Sequence, residues 1–434
     1  MDIVKKKDIK VLVIAANPFS DINNNGKTLK SIFSSLPKDS LFEFYFRPQD
    51  NVIADGDFAK SFYAVSELDI ARSIMTFSKT CGGEQNLKNV MDYSTTTQKS
   101  YIKLAKCPLK NCNILRSFLW KSRRWDNDEF KNWYKSCNPD IVFALLGPPG
   151  PLFTIAEDIS SNLDIPLAIY FTDDYLINWP YNRFQRKMAI KAFHKIVSLS
   201  SARFCIGDMM CNEYSLLFGK DFDPIMNSVI AEPYNIPKLS NKKYRMSYFG
   251  SLWLDRWKML AKISEIVGDA ADIYIYSSSE LNDDMKVALT RSNIYIHKPV
   301  LGDEYKNAIQ ISDVLLHVES DSSECRKKTA LSVSTKIPEY LMSSKPILAY
   351  GPLEVASLKL LRDNEIAKVV SSEADIVDSQ KEILSFISDV EYQATLSVRA
   401  HDYALKNFDR EVVSKKLIHK LTRVVEEHKK RYSE

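Results

Sequence analysis

Short apolar runs recur along the chain, and between them apolar positions fall three and four residues apart. Val11–Ala15, Phe42–Phe46, Ile141–Leu146, Leu167–Phe171, Lys195–Leu199 and Ala202–Ile206 read as a first series of strands. Met246–Phe249, Ile273–Tyr276, Ile294–Ile296, Val314–Val318 and Pro346–Ala349 read as a second. Helical spacing lies between them, as in Met259/Leu260, Ile263 and Ile266/Val267, closed by Gly268. Alternation of this kind predicts parallel sheets with crossover helices, and two series with separate starts predict two such domains. The expected fold class is therefore α/β, with two Rossmann-like domains facing each other across a cleft. The Pro-, Asn- and Lys-rich stretch Ala231–Lys243 reads as the seam, giving domains over 1–236 and 237–400. Val413, Leu417, Leu421 and Val424 predict one long terminal helix over Asp402–Arg431, in a segment 401–434 that packs back on the first domain. Residues 78–113 carry no pattern and read as an irregular insertion.

Composition narrows the classes. A chain of 434 residues with 45% hydrophobic and 26% charged positions is long enough for two or three cores and excludes a disordered tail or a fibrous repeat. Lys plus Arg total 59 against 55 acids, so net charge gives no argument for nucleic acid and none is expected as partner. Seven cysteines, an odd number without a CxxC pair, predict reduced thiols in a cytoplasmic protein. Val11–Ala16 is too short for a signal peptide, and the apolar stretch Ile141–Ala156 is broken by Gly147-Pro148-Pro149-Gly150-Pro151, so no membrane span is expected. Ile114–Arg124 interleaves Leu115, Phe118, Leu119 and Trp120 with Arg116, Lys121, Arg123 and Arg124. It reads either as an ordinary surface helix or as a peripheral contact with the anionic inner leaflet of a membrane.

Glycine is scarce, at 12 residues, yet Gly26, Gly147, Gly150, Gly250, Gly302 and Gly351 all follow predicted strands. Those are the places where a backbone turns tightly or approaches a ligand. The sharpest segment is Tyr248-Phe249-Gly250-Ser251-Leu252-Trp253-Leu254-Asp255-Arg256-Trp257-Lys258. It predicts a strand end, a glycine loop and a helix capped by Asp255. Arg256 and Lys258 then crowd a first turn already electropositive from the helix dipole, which makes sense where an anion such as a diphosphate binds. Lys27 after Gly26, and Lys336 opening a helix Thr335–Met342, repeat the arrangement. Asn25-Gly26-Lys27-Thr28 is no P-loop, because position 21 is Asp rather than Gly. Glu339, a lone carboxylate among apolar neighbours, is suited to accept two hydrogen bonds from the vicinal hydroxyls of a ribose.

In Phe171-Thr172-Asp173-Asp174-Tyr175, one of the two carboxylates is expected to hold or deprotonate a substrate hydroxyl, or else to cap the next segment. Tyr175, Trp179 and Tyr181 are suited to stack on sugars or to pack in the core. Three Asp-x-Asp matches (Asp55/Asp57, Asp126/Asp128, Asp221/Asp223) are expected by chance in a chain with 55 acids. The six histidines have no ligand spacing, and His317, in the apolar run SDVLLHVES, reads as a core residue. With Arg and Lys to neutralise the diphosphate, no metal is required.

YFGSLWLDRWK, SDVLLHVES and STKIPEYLMSSKPILAYGP resemble the donor half of GT-B glycosyltransferases, particularly the retaining family 4 group. VLVIAANPFSDINNNGKTLKSIF and NPDIVFALLGPPGPLFTIAEDIS…IPLAIYFTDDY resemble that group's acceptor half. The resemblance implies transfer of a hexose-type sugar, with retention, from a nucleotide-diphosphate sugar (UDP or GDP expected) to a saccharide or lipid-linked saccharide, in surface polysaccharide biosynthesis. No further cofactor is implied. The diphosphate-holding pair maps onto Arg256 and Lys258, in the loop of Gly250 and Ser251. The ribose-binding second glutamate of the E-x7-E signature maps onto Glu339, beside Thr335 and Lys336. The base would lie near Lys298-Pro299-Val300-Leu301-Gly302, with Val300 among its contacts. Gly26, Lys27, Asp173, Asp174 and Tyr175 fall on the acceptor side. The first signature glutamate falls at Leu331, leaving the sugar contact unassigned. The alternatives are a nucleotide-sugar 2-epimerase of the same fold and an inactive subunit that binds glycan or nucleotide.

Overall fold

The computed structural model describes residues 8–21, 24–45, 57–85, 112–235 and 243–431. The chain divides into two compact units. The first comprises 1–176, 180–227 and 413–434; the second comprises 177–179 and 228–412.

The first unit carries an eight-stranded sheet in the order β4-β3-β2-β1-β5-β6-β7-β8. Its strands are β1 Val11–Ala15, β2 Leu41–Tyr45, β3 Ser61–Ala64, β4 Gly83–Gln85, β5 Ile141–Leu146, β6 Leu167–Phe171, β7 Ala202–Cys205 and β8 Asp223–Pro224. All pairings are parallel except β3 with β4. The second unit holds a parallel six-stranded sheet in the order β11-β10-β9-β12-β13-β14. These strands are β9 Tyr244–Phe249, β10 Ala271–Tyr276, β11 Ile294–His297, β12 Val314–Val318, β13 Ile347–Gly351 and β14 Lys368–Ser371. Every residue of β1, β2, β5, β6, β12 and β13 is buried. That is why these strands read as continuous apolar runs: helices cover both faces of a parallel sheet.

In each sheet the order of the parallel strands reverses next to the first strand, between β1 and β5 and between β9 and β12. In open parallel sheets a crevice opens outside the carboxyl ends of the strands at such a reversal, and ligands bind there.

Two sequence expectations change. Lys195–Leu199 is the last turn and a half of a helix, Arg183–Leu199, rather than a strand. Asn182 and Gln185 form a reciprocal capping box at its start, and this cap outweighs the β-branched content of its end. The terminal helix over Asp402–Arg431 is two helices, Val390–Asn407 and Arg410–Arg431. Between them Val229 bridges the backbone of Asp409, donating to the Phe408 carbonyl at 2.9 Å and accepting from the Arg410 amide at 2.8 Å. Beyond that break Val413, Leu417, Leu421, Val424 and Val425 are buried in the first unit. Residues 86–111 of the expected insertion lie outside the described residues, while 83–85 form β4. Cys81, Cys137, Cys205, Cys211 and Cys325 are buried free thiols. Among the described residues no helix is long and apolar enough to cross a membrane.

Candidate functional site

In the second unit the reversal between β9 and β12 gathers most of the residues expected to meet a donor. β9 ends at Phe249, and Gly250 donates its amide to the Tyr276 carbonyl at 3.1 Å. The Ser251 carbonyl accepts the Tyr248 hydroxyl at 2.7 Å, so the loop after the strand is tied back to the strand. Leu254 and Asp255 then adopt left-handed backbone, with φ of 59° and 56°. For non-glycine residues that conformation costs about 1 kcal/mol or more each, and strain of this sort gathers at functional loops. Asp255 occupies the capping position but its side chain caps no amide. It takes the Lys258 ammonium instead, at 3.0 Å.

Arg256 is the first residue of the helix Arg256–Val267. Its Nη2 donates to both carboxylate oxygens of Glu319, at 3.1 and 3.3 Å. The pair is largely sequestered, with side-chain exposures of 20% and 3%, whereas Lys258 is about half exposed at 47%. Glu319 follows β12 directly, on the other side of the reversal. Gly351, at the end of β13, makes room for it: a Cβ there would stand 2.7 Å from the Glu319 carbonyl oxygen. His317 Nε2 lies 3.5 Å from Glu319 Oε1. Burial holds the His317 pKa down to about 4, against the opposing pull of Glu319, so the ring is neutral and Arg256 is the cation facing that carboxylate. Burial also raises the Tyr248 hydroxyl, to about 12.

A second cluster adjoins the same strand end. Glu339 accepts from Tyr305 Oη at 2.8 Å and from Lys336 Nζ at 3.0 Å. Lys336 also stands over the Tyr305 ring, 4.7 Å from its centroid. Burial, reinforced by Glu339, pushes the Tyr305 hydroxyl well above its ordinary pKa, so it stays a donor. Tyr340, fully buried, accepts the Phe249 amide at 3.0 Å. Phe249 packs at right angles to the Tyr305 ring and stacks on Tyr276. Glu339 and Lys336 are thus locked to the strand that leads into Gly250. The helix there is Ile337–Met342, so Lys336 stands just outside it and Thr335, half-buried, precedes it. Val300 is half-buried just before the helix Gly302–Gln310. Leu331, where the first signature glutamate would fall, is a buried apolar residue at 4% exposure.

In the first unit the loop after β1 runs into the helix Asn24–Ile32. The Phe19 amide donates to the buried Glu43 at 2.6 Å. A Cβ on Gly26 would come within 2.2 Å of the Pro18 carbonyl oxygen. The close approach that demands glycine here is to the chain's own loop, and Lys27 beside it is exposed. Asp173 is exposed and accepts the Tyr175 hydroxyl at 3.1 Å. Asp174, buried at 3%, accepts the Leu176 amide at 2.9 Å and the Tyr214 hydroxyl at 3.1 Å. The two adjacent carboxylates therefore have different surroundings, Asp174 folding the loop and Asp173 meeting solvent; the next helix is capped by Asn182.

Several of the remaining candidates have structural partners. Arg116 and the Trp120 indole both donate to Glu67, and Arg123 pairs with Asp126 and Asp158. Of that amphipathic segment's apolar residues, Phe118 is exposed and Trp120 buried. Asp126 pairs with Lys131 as well, Asp223 with Lys420 and Asp57 with Lys38; Asp55 lies outside the described residues. Among the described residues no three His, Cys, Asp or Glu side chains gather as a metal site.

Glu319, Tyr305 and Tyr340 were missed as partners of the expected residues. For Glu319 the sequence did carry a signal, a single acid at the end of the apolar run VLLHV.

No family model and no curated protein matches the chain. Solved structures do resemble it. HepE of Anabaena, in complex with UDP-glucose, has a TM-score of 0.61 at 11% identity, covering 95% of this chain and 99% of that one. Sucrose-phosphate synthase of Thermosynechococcus elongatus gives 0.62 at 9%, covering 95% and 98%. WaaG, a glycosyltransferase involved in lipopolysaccharide biosynthesis, gives 0.58 at 11%, covering 95% and 99%. At such identities the likeness is one of fold: the two Rossmann-like units are those of the GT-B fold.

Proposed function

We propose that the chain is a glycosyltransferase that moves a sugar, with retention, from a nucleotide-diphosphate sugar to a hydroxyl of a saccharide or lipid-linked saccharide. One observation carries this reading. A guanidinium stands at the start of a twelve-residue helix, at the strand reversal of the second unit, after a strained loop. Helix N-termini favour anions, and an arginine held there stabilises the charge that accumulates on a departing diphosphate. Arg256 is accordingly the leaving-group residue, with Lys258 beside it. Glu339 takes the ribose hydroxyls, with Lys336 and Tyr305 fixing its carboxylate, and Gly250 and Ser251 form the loop over which the phosphates lie. On the acceptor side we assign the hydroxyl contact to Asp173, the exposed member of its pair. The GT-B likeness, which includes HepE in complex with UDP-glucose, agrees with a uridine nucleotide as donor. Attack from the leaving-group face needs no protein nucleophile.

The test is a thermal-shift screen with uridine, guanosine, adenosine and thymidine diphosphates. A ligand at a hundred times its Kd stabilises the folded state by about 2.7 kcal/mol, a shift of several degrees. One nucleotide is expected to produce it. Arg256→Lys keeps the charge opposite Glu319 but gives up the fork that grips phosphate, and should reduce the shift at least by half. No shift with any of the four sinks the reading. The buried Leu331 is what favours an inactive binding subunit instead. Turnover separates the two, since only a transferase releases nucleotide faster when a glycan acceptor is added; an epimerase changes the sugar with no acceptor.

A further inference from the structure

The anion site contains an anion of its own. Glu319 is buried at 2% and sits at the end of the central strand β12, held there by the hydrogen bond its amide donates to the Tyr350 carbonyl at 3.1 Å and by the approach that Gly351 permits. Its carboxylate engages Arg256 through Nη2 alone, with one bond at 3.1 Å and one at 3.3 Å. Among the described residues Nε and Nη1 of Arg256 make no hydrogen bond, so donors of its fork remain for another ligand. The other close group, His317, is itself buried and neutral. A phosphate reaching Arg256 therefore meets a guanidinium already shared with a carboxylate, and that carboxylate repels it.

We propose that Glu319 is the counter-ion that trades with the donor's diphosphate on Arg256: it holds the guanidinium at the helix tip when the site is empty, weakens the hold on nucleoside diphosphate, and takes the guanidinium back as product leaves. Glu319 is thus a positioning residue that sets product release. The inference rests on the reading of Arg256 as the leaving-group residue. Its sign is distinctive. A merely structural acid, once removed, would loosen the loop and weaken nucleotide binding; a competing counter-ion, once removed, tightens it.

The experiment is titration calorimetry of the full chain with the same four nucleoside diphosphates, for wild type, Glu319→Gln, Glu319→Asp, Arg256→Lys and the Arg256→Lys/Glu319→Gln pair. Glu319→Gln keeps the shape and one acceptor while removing the charge, and should tighten diphosphate binding about tenfold, the scale of a close ion pair between partly buried groups. Glu319→Asp draws the carboxylate back by one methylene and should tighten binding in the same direction, which covers the case in which the amide variant does not fold. On the Arg256→Lys background the Glu319→Gln gain should shrink, because the two act through one contact. Wild type that binds a nucleotide, with variants that bind it equally or more weakly, overturns the counter-ion role and leaves the transferase reading standing. Wild type that binds none of the four overturns both.

Discussion

Single residues separate structural demand from chemistry at several places where sequence alone had merged them. Gly26 is fixed by a carbonyl 2.2 Å from where its Cβ would be, and that carbonyl belongs to backbone that cannot swing away. Gly26→Ala should therefore lower unfolding free energy by about 2 kcal/mol, measured by urea denaturation. Asp174 and Asp173 should part in the same assay. Asp174→Ala strands the Leu176 amide and the Tyr214 hydroxyl and should cost about 1–3 kcal/mol, while Asp173→Ala leaves stability within about 0.5 kcal/mol and lowers turnover. His317 gives a pH signature. Its folded pKa, about 4, lies below the unfolded value, so the unfolded chain binds the proton first as pH falls. The histidine's contribution is intact above about pH 6.5 and is lost progressively between there and pH 4. Between pH 7 and pH 5 this amounts to about 2 kcal/mol, and His317→Gln should flatten that part of the stability profile.

Among the elements, legibility followed the apolar run. The strands buried at every residue stood out in the sequence as apolar runs, β1, β5, β6 and β12 to the residue. The short strands β3, β4, β8 and β14 did not, whereas β11, an edge strand buried only at Ile294, still read as Ile294–Ile296. They are two to four residues long, too short for a pattern to show; β4, β8 and β14 are also polar or partly exposed, while β3 is buried at Phe62, Tyr63 and Ala64. The candidate site was legible as separate segments, because Gly250, Arg256 and Glu339 each carry a local oddity. Its assembly was not: the contacts that bind those segments, Glu319 to Arg256 and Tyr340 to Phe249, join residues 63 and 91 positions apart. The broken terminal helix was hidden for a similar reason, since its apolar spacing continues across the break. What stops it is Val229, and Asp409 restarts it by accepting the Glu411 and Val412 amides at 3.0 and 3.1 Å. Loss of such a cap costs about 1 kcal/mol, so Asp409→Ala should lower the melting temperature by a few degrees, while Asp409→Asn, which still caps, should hold it.

For the whole molecule, the decisive feature is that the chain leaves the first unit at residue 227 and supplies it again from Val413 onward. The returning helix completes that unit's core with Leu417, Leu421, Val424 and Val425. Ser414 accepts the Ser35 amide at 2.9 Å, Lys420 pairs with Asp223, and Lys429 pairs with Asp140. Each buried Leu or Val side chain is worth about 1.5–3 kcal/mol, so four of them equal much of a domain's net stability. The surface pairs add little beside this. Ending the chain after Val412 should therefore act on one unit only. Calorimetry of the shortened protein should find the first unit's transition lowered by ten degrees or more, with the second unit's transition in place. A nucleoside diphosphate that stabilises the full chain should still raise that remaining transition, because Arg256, Glu319 and Glu339 all belong to the second unit. If the shortened chain instead melts like the full one, the helix is no part of the first unit's core. If the nucleotide shift disappears with the helix, the donor site does not reside in the second unit alone.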